Sequence, residues 1–495
     1  MRRETALRTY LALLWLVCLY RAITQSIVHD EALTAQLYLA GPAARIFDFF
    51  NANHHFLNTI LMKASVSVFG LSEWSMRLPA LAGAALYFAA VYRICTREFR
   101  SGLAAWLAAA LLTINPFILD FMVAARGYGM GLALLLWAFA VLLSYLREPE
   151  TQTSRDLLTG GLALGLSVAA NLIFAIPAAV MAAFYPLLER SRKPEGIPAA
   201  APGRGKKTAR ARQSKTGRPG FLLYFDLPAA CVLVLLFLSA PLSNATSGDL
   251  YVGSSSIPDS LRNLVTVSVN HGSTESVSGV AAWERDAVAF AIAPLLLLGA
   301  LAVGLRRKAP LLLLASGTAA GSAVALVALH LAAHLPYPVD RTGIYFVAFV
   351  PLAFAGLADA GLARPGLRKT AGLAACSLGT VLVLQFLFQF NTRFFRVWRY
   401  DADTRRIIGR ISRLEANQQP GSVQIRNSWQ LEPSLNFYRA RDHLTWMQPA
   451  TREPLAPGAH YYILIPQDRS MEQTLQLKRV YKGAVSGTVL AVPSK

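Results

Sequence analysis

Charge is what this sequence has least of. Only 15% of its 495 residues are charged, and acids are outnumbered, with 28 Asp and Glu against 48 Lys and Arg. Cysteine is rarer still, at 4 residues. Cys18, Cys95, Cys231 and Cys376 each fall within or at the edge of an apolar segment, which excludes a readable disulfide framework, a CxxC motif or a zinc spacing. What replaces charge is hydrocarbon: 54% of the chain is hydrophobic and the mean hydropathy is +0.40. That is too apolar for a soluble domain of ordinary composition, so the chain reads as a membrane protein. The net charge of +20 lies in short runs between apolar blocks rather than along one face. Membrane topology accounts for such runs better than nucleic-acid binding does.

The first apolar block, Thr9 to Val28, is preceded by Arg2, Arg3 and Arg8 and interrupted by Arg21. It is longer than a signal-peptide core and no small-residue cleavage site follows, so it reads as an uncleaved first span with a cytoplasmic basic leader. Further spans are expected over Leu78–Tyr92, Leu103–Ile118, Tyr128–Leu146, Phe221–Ala240, Ala287–Leu305, Leu311–Leu331, Ile344–Ala360 and Ala371–Phe390. Arg93, Arg97, Arg100, Arg147, Arg306, Arg307, Lys308, Arg364, Arg368 and Lys369 mark their cytoplasmic ends. Leu157–Leu188 must cross an even number of times, and its roughly 32 residues, with Asn171 and Pro177 as breakers, suit a short out-and-back hairpin. The total is about eleven spans, an odd number that leaves the C-terminal tail outside.

The segments between spans are informative. The first external loop, 29–77, contains an apolar repeat at helical spacing, Leu57, Leu61, Ala64 and Val68, from His55 to Phe69. At about 22 Å that helix is too short to cross, which predicts an interfacial helix, with a second over Glu31–Leu39. The basic, Pro/Gly-rich loop 189–220 is expected to be cytoplasmic and disordered, without aromatics to stack on nucleobases. The tail, 391–495, has a helical repeat at Ile407, Ile408, Ile411 and Leu414 and two strand-like runs, "HYYILIP" and "GTVLAV". The expected architecture is an all-α polytopic module, 1–390, carrying a small extracytoplasmic α/β domain, 391–495.

Because acids are scarce, their placement carries information. Asp30 and Glu31 follow the first span, Asp120 sits in the second external loop, and Asp340 precedes Arg341 in another. A carboxylate against a low-dielectric bundle can have its pKa raised toward the working pH and serve as general base for a hydroxyl. Arg77, Arg126 and Arg341 on the same face can grip a phosphate through a planar fork of donors. Plainer readings stand beside these: Asp30 as the cap of the helix starting at Glu31, Asp120 as a solvated acid, Arg77 and Arg126 as interface anchors.

The order "HDEALTAQLYL", "NHHFLNTILMKASVSVFGLSEWSMRLPALAGA" and "NPFILDFMVAARGYGMGLALLL" resembles the N-terminal module of GT-C glycosyltransferases. More narrowly, it is similar to the bacterial relatives of protein O-mannosyltransferases and aminoarabinose transferases, over Thr9 to Leu188. The resemblance implies a GT-C fold and an inverting transfer from a polyprenyl-phosphate sugar to a hydroxyl of an envelope lipid, glycan or protein. It makes Asp30 the catalytic base, with Glu31 and Asp120 supporting the base or the sugar. The leaving lipid phosphate would be met by Arg126 and Arg341, with Arg77 and Tyr128 as further substrate-binding candidates. Where relatives have a His-Pro pair this sequence departs from the family, reading Asn53, His54, His55, Phe56, although His54 and His55 are also substrate-binding candidates. As adjacent residues they diverge and do not form one metal site. Some GT-C members bind a divalent metal and others do not, and the residues leave that open.

The competing reading is a transporter or flippase for a lipid-linked or anionic substrate; a noncatalytic scaffold for the tail is a third. The few mid-span charges and the absence of an evident inverted repeat count against a transporter.

Overall fold

The computed structural model describes residues 2–51, 53–191, 218–244, 252–270 and 282–494. Most of the predicted basic loop, and His271, lie outside them. Among the described residues eight helices are long and apolar enough to cross a membrane: Arg3–Thr24, Glu73–Arg97, Gly127–Arg147, Leu222–Ser239, Ala282–Arg307, Pro310–Ala333, Asp340–Leu362 and Leu367–Gln389. Each overlaps a span expected from hydropathy. The other three expected crossings fall on shorter helices. Gly102–Thr113 has 12 residues, and the predicted hairpin is Ser154–Ala170 and Ala175–Ser191, 17 residues each, broken at Asn171. Asn171 adopts an extended conformation and its side chain accepts from the Ile173 amide, so this polar residue ends one helix and starts the next.

The first external loop folds as two short elements on the bundle. His29–Thr34 is α-helical and runs on into a π turn, Ala35–Leu39. Phe56–Phe69 is the expected interfacial helix, and it packs on the Glu73–Arg97 span. The tail forms a four-stranded sheet in the order β1-β2-β4-β3, from β1 Ile425–Asn427, β2 Tyr461–Leu464, β3 Leu477–Lys482 and β4 Val489–Pro493. The β1–β2 pair is parallel, Ile425 opposite Tyr461, which requires a crossover, and the helix Glu432–Arg441 supplies it. Thr404–Glu415 is the expected amphipathic helix, burying Ile407, Ile408 and Ile411.

The tail is not a separate bead. Ile27, Ala32, Ala35 and Leu39 share one apolar cluster with Ile407, Leu435, Tyr438 and Ile463. The first external helix is therefore held between the bundle and the tail. Polar contacts reinforce this: the Tyr438 hydroxyl accepts from the Ile27 amide at 3.0 Å and donates to Glu73 at 3.0 Å, and Arg441 donates to both Glu73 oxygens at 2.7 Å.

Candidate functional site

The adjacent acids Asp30 and Glu31 face different partners. Glu31 is fully buried, and its two oxygens accept from Arg77 at 2.9 and 2.6 Å. They also accept the amides of Ala125 at 2.6 Å and Val28 at 3.2 Å. The remaining N–H groups of Arg77 go to the carbonyls of Ala22, Gln25 and Ser26 at 3.2, 2.8 and 2.7 Å. A guanidinium has five N–H donors, and all five are used. Arg77 thus has none left for a phosphate, and Glu31 none of its carboxylate facing a substrate. Both substrate-facing assignments are corrected: the pair ties the exit of the first span to the start of the second. Capping also moves by one residue, because Glu31, not Asp30, accepts the Val28 amide at the start of His29–Thr34.

Asp120 is likewise committed elsewhere. Its Oδ1 accepts from Arg21 at 2.5 Å, and its Oδ2 from the Arg396 amide at 2.9 Å. Phe395 lies against both Arg21 and Arg77, at 5.2 and 5.0 Å from its ring centre. The charge that interrupts the first span is thus answered by a loop acid, and the two hold the start of the tail. Asp120 is not brought to Asp30, so its supporting role at the base gives way to a structural one.

Asp30 has a looser setting. One carboxylate oxygen, Oδ2, lies 3.4 Å from Arg126 and 3.3 Å from Arg341, and makes no hydrogen bond. Burial alone would raise this pKa, but the two guanidinium charges, with His29 and Trp398, outweigh it and hold the group below the ordinary carboxylate range. The expected upward shift is therefore reversed: Asp30 stays ionised. Its two cations are not saturated either. The Nε of Arg126 and the Nε of Arg341 are buried without a partner. Tyr128 packs against both, at 5.9 Å from each guanidinium carbon, and Trp398 backs Arg341 at 5.7 Å.

Local sequence explains why these groups meet. Arg126 is the residue before the Gly127–Arg147 helix, and the glycines after it allow close packing. A Cβ on Gly127 would stand 1.9 Å from the Ala170 carbonyl oxygen, and one on Gly129 2.0 Å from that of Phe121. "RGYG" is thus a packing motif that brings Arg126 and Tyr128 into the loop layer. Asn53 completes the link. Its side-chain oxygen accepts from Arg126, while its Nδ2 donates to the Asp30 carbonyl and the Thr34 hydroxyl, both at 2.9 Å. From the far side, the Asp401 carboxylate accepts the His29 amide at 2.7 Å, and the His29 ring meets the Gln430 carbonyl at 2.6 Å.

The two histidines diverge as their adjacency predicts. His55 lies edge-on to Tyr128, 5.0 Å between ring centres, at the border of the Asp30 site. Burial, with Arg126 and Arg341 nearby, drives its pKa well below 6.5, so it is neutral there. His54 instead stacks on Tyr38 at 4.4 Å and lines a small apolar cavity with Asn171 and Leu172; burial lowers its pKa to about 4. No group of three or more potential metal ligands occurs among the described residues.

Sequence reasoning missed Asn53, Trp398, Tyr400 and Asp401. Tyr400 and Asp401 are buried where Asp30 and the tail meet. Only Arg21 had a signal, a charge inside an apolar span.

Residues 53–195 match the family of dolichyl-phosphate-mannose-protein mannosyltransferases. That segment contains Asn53, His55, Arg77, Asp120, Arg126 and Tyr128 but neither Asp30 nor Arg341. The expected relationship to these glycosyltransferases is met there. Among solved structures, the chain is similar to ArnT from Cupriavidus metallidurans in the apo state, at 12% identity over 99% of this chain and 98% of that one, with a TM-score of 0.49. ArnT from the same organism bound to undecaprenyl phosphate gives 13% identity, 98% and 97% coverage and a TM-score of 0.40. The Archaeoglobus fulgidus oligosaccharyltransferase, tethered with an acceptor peptide, gives 12% identity, 99% and 74% coverage and 0.44. No curated protein matches the chain.

Proposed function

We propose that the chain is an inverting membrane glycosyltransferase. It moves a sugar from a polyprenyl-phosphate donor to a hydroxyl of a cell-envelope lipid, glycan or protein at the extracytoplasmic face of a bacterial plasma membrane. One observation carries the reading: an ionised carboxylate stands between buried Arg126 and partly buried Arg341, each of which keeps an unused, buried Nε–H. Such a cluster matches a reaction that must accept a proton and receive a phosphate at neighbouring points.

In this mechanism Asp30 accepts the proton of the acceptor hydroxyl as its oxygen bonds to the anomeric carbon. The bond from that carbon to the phosphate oxygen breaks, and the lipid phosphate leaves with the electron pair. Arg126 and Arg341 receive it through the Nε–H groups now unspent and the Nη–H groups facing Asp30. The same exchange activates the base. With no phosphate, the arginines depress the proton affinity of Asp30. The donor's phosphodiester, a monoanion, placed between them neutralises part of that charge, so proton affinity rises when the donor is in place. Tyr128 and Trp398 hold the guanidinium planes, and neutral His55 borders the site without adding charge.

The test is transfer from a polyprenyl-phosphate sugar by the purified chain, with Asp30→Asn as the variant that keeps volume and removes the base. Donor binding is retained and turnover collapses. Turnover at the parent rate rejects Asp30 as the base. Mass spectrometry of envelope lipids and glycans, with and without the gene, identifies sugar and acceptor together.

A further inference from the structure

A polar cavity of about 510 Å³ opens at the end of the Gly127–Arg147 helix opposite the Asp30 site, beside the end of Glu73–Arg97. The Gly127–Arg147 helix alone separates the two places by about 30 Å. Arg93, Arg97 and Arg147 line the cavity with Glu98, Ser144 and Gln152. Arg93, Arg97 and Arg147 lie at the ends of two helices long and apolar enough to cross a membrane, and none of these residues takes part in the Asp30 site.

The cations here are more available than the acids. Arg93 lies over the Trp137 ring at 5.5 Å, and one Nη donates to the Ser144 hydroxyl at 3.1 Å, yet its Nε is buried without a partner. The ring and the hydroxyl fix the plane of this guanidinium and leave its Nε edge unspent. Arg97 has an exposed side chain with no hydrogen bond or ion pair among the described residues. Arg147 donates to the Arg97 backbone carbonyl and keeps its Nε 3.7 Å from Glu148 at the exposed rim. Of the acids, Asp156 is committed to the start of its own helix, accepting the Thr153 amide at 3.1 Å and hydroxyl at 2.7 Å. Burial raises the pKa of Glu98, with Arg147 and Arg97 opposing the rise.

We propose that this cavity is a phosphate-binding site on the membrane face opposite Asp30, taking a phosphate mono- or diester through Arg93 and Arg97. A guanidinium fork held flat on an indole suits phosphate oxygens, and basic pockets between spans at the bilayer surface take anionic lipid head groups. The chemistry is the same for a soluble phosphate and a lipid head group, so the experiment separates the two sources.

The full chain is held in maltoside micelles, which contain no phosphate, and titrated with inorganic phosphate while tryptophan fluorescence is followed; Trp137→Phe supplies the blank. In parallel, the chain is extracted from phosphatidylglycerol-containing nanodiscs and retained lipid is counted by native mass spectrometry. Saturable fluorescence change, retained phosphatidylglycerol, or both, is expected, and Arg93→Gln and Arg97→Gln each weaken it by about tenfold. A phosphate response alone assigns a soluble ligand; retained lipid alone assigns a head group. Arg97→Gln alters a side chain that holds no other element, so it remains informative if Arg93→Gln does not fold. No response in either arm of the parent protein, or responses unchanged by Arg97→Gln, overturns the site.

Discussion

Asp30 and Glu31 are neighbours in one short helix, and both face arginine, yet their surroundings could hardly differ more. Around Glu31 and Arg77 every donor is spent, neither side chain is exposed, and the contacts are short and paired. Around Asp30 two arginines approach one oxygen at 3.3 and 3.4 Å without a hydrogen bond, and each retains an unused Nε. A saturated pair is at its energetic minimum and has nothing to offer a third partner. An unsaturated one is costly to bury and is stabilised further by an incoming anion. The contrast gives one acid a structural role and leaves the other free for the chemistry proposed for it, and it can be broken or sharpened by substitution.

The largest effect belongs to the saturated pair. Arg77→Ala leaves Glu31 buried without a cation, a loss of about 3–5 kcal/mol, and folded protein should fail to accumulate on size exclusion and thermal melting. A variant that melts like the parent would refute the clamp. Asp30→Asn should lower turnover by about 10²–10⁴ while the melting temperature holds; a fall in stability of the Arg77→Ala kind would erase the distinction between the two acids. Arg341→Gln should weaken donor affinity by about tenfold to a hundredfold through loss of a charge-assisted contact. Unchanged affinity would leave the phosphate role to Arg126 alone.

A pH-dependent effect comes from Asp401, which joins the Asp30 helix to the tail. Burial pushes this carboxyl up to about 8, against about 3.9 in an unfolded chain. Between these values the folded state holds a proton that the unfolded state has released. The stabilisation is present in acid and is lost as pH rises toward 8. Asp401→Asn should flatten the fall in melting temperature between about pH 5 and about pH 8, and an identical slope in both proteins would remove Asp401 as its cause.

Much of the architecture was legible because its causes are local. Hydrocarbon length marks spans, arginine marks their ends, and a 3.6-residue apolar repeat marks the interfacial helix Phe56–Phe69 and the tail helix Thr404–Glu415. Arg126, Arg341 and Asp30 were identified as candidates on the same grounds, from charge where charge is rare. The division of labour among the acids was not legible. Nothing in "HDEALT" distinguishes a carboxylate that meets an arginine whose five donors are all spent from one that meets two half-used arginines. Those partners come from positions far apart in the chain, and so does Asp120's partner, Arg21.

The sequence by itself determined that this is a polytopic membrane chain with scarce acids near the ends of its spans, because hydropathy and charge act on each segment independently. Only the tertiary structure decided which acid is saturated and which meets half-used arginines. A pKa and an unspent hydrogen-bond donor depend on every group within a few ångströms, and here those groups come from the first external loop, the Arg126 and Arg341 helix starts, and the tail.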